Sequence, residues 1–164
     1  MKTVRALLHL AIVMCLAGCA IRPEGTVYQT IPEPPAQFAQ VVIYRLPTIA
    51  SIVHPVNFWV DGKAAATLEA KGYTYFLVKP GAREVHAGGT PAYRGALVPF
   101  TAQPGMTYYF QFGTVPGSAN VIGGTPVVGL SGAFLRQVSE SLAKSQLPEY
   151  GFQAPVLERV DLRQ

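Results

Sequence analysis

The stretch from Val56 to His86 constrains the fold most, because it predicts four short β-strands joined by tight turns. Apolar side chains occupy every second position from Val56 to Val60, the period of a strand with two distinct faces. The Asp61-Gly62 pair favours a two-residue hairpin, since Gly adopts positive φ without strain. Further turns at Lys71-Gly72 and Lys79-Pro80-Gly81 separate the remaining strands. We therefore predict a β-meander here.

Further strands are predicted on both sides of this stretch. Gln40 to Leu46 forms the first, and Met106 to Phe112 the last clear one. Tyr93 to Ala102 is interrupted by Pro99, which suits an edge strand because Pro donates no ladder hydrogen bond. Short strands separated by frequent turn signals are typical of a small antiparallel β-sandwich.

One helix is predicted near the C-terminus, from Ala133 to Gln146. Apolar residues recur there every four positions at Phe134, Val138 and Leu142, which gives one apolar stripe. Ser131 is the expected N-cap. The fold class is therefore mainly β, a small antiparallel β-sandwich with one C-terminal α-helix across residues 39–150, followed by a tail at 151–164.

The composition limits the classes of function. The chain has 164 residues, 49% hydrophobic and 13% charged, which is enough for one domain with a good core. Without Lys2 and Arg5 the formal charge falls from +4 to +2, and no run of basic residues remains. Nucleic-acid binding requires a clustered basic footprint, so we expect no nucleic-acid partner.

The first eighteen residues have the parts of an export signal. Lys2 and Arg5 form a positive region, and an apolar core from Ala6 to Met14 follows. Leu16-Ala17-Gly18-Cys19 then resembles the bacterial lipoprotein box, in which Leu16, Ala17 and Gly18 would be recognised by the signal peptidase and Cys19 would receive the lipid. The resemblance implies acylation of Cys19, palmitate included, and anchoring in the membrane, since two or more acyl chains anchor a protein durably.

The residues after Cys19 suggest where the chain is sorted and how it is tethered. Ala20 and Ile21 follow the cysteine, with no Asp at the second position, which by resemblance favours the outer membrane, facing the periplasm. Residues 19–38 are rich in proline and lack apolar periodicity, so we predict a semi-extended linker there. Cys15 and Cys19 are the two cysteines of the chain, which leaves the mature domain without a disulfide.

Four pieces of the domain are similar to a bacterial lipoprotein family named only as domain of unknown function 2846. They are Val41–Arg45, Phe58–Lys63, Tyr75–Gly81 and Pro104–Phe110, and PEGA-type β-sandwiches share their turns. The resemblance implies a lipid-anchored β-sandwich and provides no catalytic residue. One departure is the stretch from Val115 to Gly132, which is longer and more Gly-rich than the family pattern.

No catalytic, cofactor-binding or metal site is predicted. Ser131 lies in a strand–turn–helix context, but Ala133 replaces the Gly of a nucleophile elbow and no His follows it. His54 and His86 are isolated in the sequence and give no metal-ligand spacing. An enzyme is therefore not expected, because no nucleophile–base or acid–base pair can be assembled.

Two functions remain open from the sequence. The first is a structural or protein-interaction module with an envelope protein partner. Its docking segment lies within Gly113 to Gly132, part of a stretch from Gly95 to Leu135 without charged residues, and includes the apolar residues Val121, Ile122, Val127 and Val128. Alternatively, the same residues are buried strands. The second function is binding of a small ligand or glycan, with Trp59, Tyr73 and Tyr75 as an aromatic platform.

Overall fold

The computed structural model describes residues 23–47, 55–88, 96–114, 120–122, 125–127, 133–156 and 159–160. The strands are β1 (Thr26–Val27), β2 (Ala39–Arg45), β3 (Val56–Val60), β4 (Lys63–Leu68), β5 (Gly72–Val78), β6 (Gly81–Ala87), β7 (Leu97–Ala102), β8 (Thr107–Thr114), β9 (Asn120–Ile122), β10 (Thr125–Val127), β11 (Ala133–Val138), β12 (Gly151–Phe152) and β13 (Arg159–Val160). Helix α1 (Glu140–Gln146) continues into a short 3-10 turn (Leu147–Glu149). The predicted mainly β fold with one helix is confirmed.

Two sheets form the sandwich. The larger sheet has the order β1-β12-β5-β2-β8-β11, with β13 also beside β5, and the smaller sheet has the order β4-β3-β6-β7. The larger sheet is mixed, because β2 runs parallel to β8 and β5 runs parallel to β12 and β13. The sandwich prediction therefore holds, but the strands are not antiparallel throughout. Strand β7 carries Pro99 and lies at an edge of its sheet, as predicted.

The predicted meander from Val56 to His86 has the right strands but the wrong pairing. Strands β3 and β4 form the expected hairpin, with φ of 48° at Asp61 and 76° at Gly62. Strand β5 then crosses to the larger sheet, and β6 returns to pair with β3. The turns at Lys71-Gly72 and Pro80-Gly81 are therefore corners of the sandwich, not links within one sheet.

The main core lies between the two sheets. Phe58 from β3 and Phe76 from β5 are both buried in it, as expected for strands with one inward face. The ring of Phe58 meets that of Phe112 edge-on, with centroids 5.5 Å apart. Edge-to-face packing of this kind adds to the stabilisation from buried apolar area.

A second core lies on the outer face of the larger sheet. It comprises Val42, Tyr44, Tyr73, Tyr109, Ala143, Leu147 and Tyr150, with Tyr28 and Ile31 packed against them. Strand β2 is thus covered on both faces, and all seven of its residues are buried. Burial on both faces explains why its sequence, AQVVIYR, shows no alternation of polar and apolar residues.

The predicted helix from Ala133 to Gln146 is correct only in its second half. Residues Ala133–Val138 form strand β11, which pairs antiparallel with β8, and the helix begins after Ser139. The Ser139 hydroxyl accepts a hydrogen bond from the Leu142 backbone N–H and is the N-cap of α1, whereas Ser131 lies outside the described residues. Leu142, predicted to be on the apolar stripe, is exposed.

The predicted linker and tail both contribute to the larger sheet. Residues 23–38, the described part of the linker, include β1, and the tail from residue 151 includes β12 and β13. β1 pairs with β12, so the two ends of the domain meet beside β5. The backbone N–H of Val156 also donates to the Ala65 carbonyl of β4. The tail therefore spans the corner between the two sheets.

Candidate functional site

The residues predicted to be processed and lipidated precede the described part of the chain. Leu16, Ala17, Gly18 and Cys19 all lie outside it. The first residues described after them, from Pro23 onward, lead directly into the contact between β1 and β12. This contact is the structural feature nearest in sequence to the proposed lipid attachment.

The predicted docking segment contains a short hairpin. Val121 and Ile122 lie in β9 and Val127 lies in β10, with Val121 paired to Pro126 and Ile122 to Thr125. Val128 lies outside the described residues. The segment thus has more regular structure than the expected long loop.

The Asp61 carboxylate stabilises the turn between β3 and β4. The Asp61 carboxylate accepts hydrogen bonds from the Glu84 backbone N–H at 2.9 Å and from Arg83 at 3.2 Å. Among the described residues, no three His, Cys, Asp or Glu side chains are grouped in a way that could hold a metal ion. His86 is buried, and His54 lies outside the described residues.

The structure does not bring the three predicted platform aromatics together. Trp59 lies in the smaller sheet, where its ring stacks on that of His86 at 5.9 Å between centroids. Tyr73 and Tyr75 lie in β5 of the larger sheet, and Tyr73 is fully buried. A buried ring offers no face to a sugar, so these residues do not form the expected platform.

A small cavity lies under the N-terminal segment. Its volume is about 120 Å³, and its walls include Tyr28, Ile31, Tyr109, Lys144 and Leu147. Pockets for drug-sized ligands have volumes of roughly 300–1,000 Å³. The cavity is therefore smaller than a pocket for a drug-sized ligand and lends no support to ligand binding at this place.

A network of polar side chains holds α1 on the larger sheet. The Tyr44 hydroxyl donates to Gln146 Oε1 at 2.8 Å, and Gln111 Nε2 donates to the same oxygen at 2.9 Å. Arg136 of β11 donates in turn to Gln111 Oε1. Buried groups that are satisfied in this way fix the position of the helix.

Burial raises the pKa of four tyrosines in the second core. Desolvation is the largest cause for Tyr44, Tyr73, Tyr109 and Tyr150. In the unfolded chain these phenols titrate near pH 10. Each folded pKa lies above the unfolded one, so at high pH the folded state retains protons that the unfolded state releases. The stability of the fold therefore falls as the pH rises above about 10, the pKa of the unfolded phenols.

We therefore expect alkaline unfolding, with the free energy of unfolding roughly constant just below about pH 10 and falling steeply above it. The Tyr150→Phe variant should show a shallower fall, because it lacks one of the shifted groups. Chemical denaturation at a series of alkaline pH values measures the slope. An equally steep fall in Tyr150→Phe would show that this phenol does not drive the transition.

A buried arginine links the two sheets. Arg45 at the end of β2 is 2% exposed, and one of its terminal nitrogens donates to the Leu68 carbonyl of β4 at 2.7 Å. Burial lowers the pKa of Arg45, and the charge of Glu69 partly opposes this shift. Sequence reasoning missed this role, because Arg45 ended a strand pattern without any charged partner nearby in the sequence.

Two glycines allow the ends of the domain to approach closely. A side chain at Gly25 would overlap the carbonyl oxygen of Phe152, and one at Gly151 would overlap that of Glu24. Gln153 Nε2 donates to the Glu24 carbonyl at 3.1 Å and strengthens the contact. The sequence contains both glycines but does not indicate that each lies against the opposite terminal segment.

The fold defines the chain as a mainly β protein, a two-sheet sandwich closed by its own terminal segments. No protein-family model, curated protein or solved structure matches it. Within the part of the chain that the structure describes, no helix has the length and apolar character needed to cross a membrane.

Proposed function

We propose that this chain is a lipid-anchored, non-enzymatic β-sandwich of the bacterial envelope, attached to the outer membrane and facing the periplasm. It acts as a structural or protein-interaction module and is related to the lipoproteins of domain of unknown function 2846. Cys19 carries the lipid, and the peptidase recognises Leu16, Ala17 and Gly18. No cofactor takes part.

The observation that carries this proposal is the box at Leu16–Cys19 placed directly before a folded β-sandwich. An anchor at this position leaves the whole domain on one side of the membrane. The acyl chains would supply the membrane affinity, since each buried methylene contributes about 0.8 kcal/mol. The domain itself is then free to present its surface to a partner.

The partner proposed is another envelope protein, which docks on the segment that contains Val121, Ile122, Val127 and Val128. The charge-free sequence from Gly95 to Leu135 supports this choice, because charged residues are depleted at the centres of protein interfaces. Crosslinking in intact cells followed by identification of the linked proteins would name the partner.

The anchor is tested by replacing Cys19. We expect Cys19→Ser to abolish incorporation of labelled palmitate and to leave the signal peptide uncleaved, because serine has no thiol to acylate. Labelling and the mass of the purified protein measure both effects. Cys15→Ser is the matched control and should be labelled and processed normally. Palmitate incorporated into the Cys19→Ser protein would contradict the assignment.

A further inference from the structure

Each sheet of the sandwich has two side edges, and three of these four edges are blocked. In the larger sheet, the edge beyond β5 is formed by β1 and β13, which have two residues each. In the smaller sheet, β7 carries Pro99, and the Ala65 carbonyl of β4 accepts from the Val156 backbone N–H. Short edge strands, prolines and covering segments prevent one sheet from pairing with another. The fourth edge, β11, has six residues and no proline.

The outer edge of β11 is open along its whole length. All six residues pair with β8 in one continuous register, without a bulge. In an antiparallel pair every second residue directs its N–H and C=O groups away from the partner strand. In the part of the chain that the structure describes, these outward groups of β11 make no hydrogen bond. Helix α1 leaves the edge uncovered, because it turns back over β2 and β8, where Gln146 bonds to Tyr44 and Gln111.

The side chains of β11 alternate between the two faces of the larger sheet. Leu135 is buried in the main core between the sheets, and Ala133 and Gln137 share its face of the strand but are exposed. Phe134 and Arg136 lie on the opposite face, where the guanidinium is 5.2 Å from the centre of the phenyl ring. Each face of the strand therefore offers a different chemistry to a strand placed alongside.

A second copy of β11 is complementary to this edge in one register. A twofold axis perpendicular to the sheet pairs the strand antiparallel with itself. With the axis at Leu135, the two Leu135 side chains meet on the core face, and Ala133 meets the partner's Gln137. On the other face Phe134 meets the partner's Arg136, a favourable cation–π pair that occurs twice. An axis at Arg136 would instead oppose two guanidinium groups, and like charges directly opposite are destabilising.

We propose that the chain forms a twofold homodimer through β11, in which the two larger sheets join into one continuous sheet. The backbone hydrogen bonds between the two β11 strands supply the affinity, and the paired side chains set the register. This interface is separate from the docking segment proposed for an envelope partner, and it does not depend on the lipid at Cys19.

The register is tested with cysteines at the two exposed positions, in the variants Ala133→Cys and Gln137→Cys. In the proposed dimer each position lies opposite the other one on the partner, at about 4.5–5.5 Å between Cα atoms. This distance lies within the range of about 4.4–6.8 Å that a disulfide spans. Positions 133 and 137 of one strand are about 13 Å apart, and identical positions of the two copies are at least as far apart. A disulfide therefore forms only between unlike positions of two copies.

Both full-length variants are expressed in one cell, and the membranes are oxidised with copper phenanthroline. We expect a disulfide-linked dimer from this mixture and only background from either variant expressed alone. The unchanged protein, with Cys15 and Cys19, gives the background level. No dimer in the mixture, equal dimer from a single variant, or a disulfide to a protein of different mass would overturn the proposed pairing.

Charge substitutions at the same positions test the dimer without a disulfide. The double variant Ala133→Lys/Gln137→Lys opposes two lysines at two places across the interface, and we expect loss of the dimer. The matched double variant Ala133→Lys/Gln137→Glu opposes unlike charges and should remain dimeric. Sedimentation of the detergent-solubilised proteins measures the mass, and thermal denaturation checks that both variants are folded. A monomeric unchanged protein, or a dimer that persists in the Lys/Lys variant, would overturn the proposal.

Discussion

We expect Phe58→Ala to lower the free energy of unfolding by about 3–5 kcal/mol, the range for a fully buried aromatic side chain. Phe58 is completely buried between the sheets and packs edge-on against Phe112. Removing the ring loses buried apolar area and leaves a cavity that β3 and β8 fill only in part. Such a loss is a large fraction of the stability of a domain of this size.

Chemical denaturation of the protein from residue 20 onward, with and without the substitution, measures this difference. Met106→Ala is the control, because Met106 is half-exposed and its truncation should change the stability by less than about 0.5 kcal/mol. Equal stability losses in the two variants would show that Phe58 does not lie in the core described.

The second large effect is expected for Gly151→Ala. The added methyl group would overlap the carbonyl oxygen of Glu24, so the backbone of β1 has to move away from β12. Overpacking of this kind costs about 1–3 kcal/mol. Because the obstacle is backbone, we expect the upper part of that range, together with release of residues 23–38 from the domain.

Hydrogen exchange and limited proteolysis of residues 23–38 measure the release, and denaturation measures the stability. Gly62→Ala is the matched control, because Gly62 has a φ of 76° but no atom within 4 Å of the added methyl group. It should lose about 1 kcal/mol from backbone strain alone, with the N-terminal segment still protected. If residues 23–38 stay protected in Gly151→Ala, the proposed contact of Gly151 with Glu24 does not hold this segment on the domain.

Turn chemistry made the strands of the central region predictable but not their partners. Asp61-Gly62 and Pro80-Gly81 mark chain reversals, and both occur where expected. A reversal does not specify whether the next strand pairs within the same sheet or crosses to the opposite one. That choice depends on whether residues such as Phe76 are buried against distant parts of the chain, which no local sequence pattern indicates.

The misplaced helix start has a related cause. A spacing of four residues, as between Phe134 and Val138, places side chains on one face of a helix and equally on one face of a strand. Pairing with β8 decides between helix and strand, since each of residues 133–138 pairs there with a residue of β8. From Glu140 onward the chain no longer pairs with β8, and the Ser139 cap and the Glu140–Lys144 pair favour the helix.

The composition of the N-terminal segment did not indicate its contacts. The predicted spacer at residues 23–38 contributes β1 to the larger sheet, and its Tyr28 and Ile31 pack on the second core. The candidate site was partly predictable for the same reason. The motif at Leu16–Cys19 is local in sequence, whereas the close approaches of Gly25 to Phe152 and of Gly151 to Glu24 are made only by the fold.

The contact between Glu24 and Gln153 joins positions 129 residues apart. The edge of the larger sheet therefore assembles only after nearly the entire chain has been made. The parallel pairing of β2 with β8 likewise joins segments that lie far apart in the sequence. Non-local pairings of this type make folding slow, because loop closure must precede the contacts that stabilise it. A chain emerging from its N-terminus would thus leave this edge of the sheet unpaired, and accessible to proteases, until its last strands arrive.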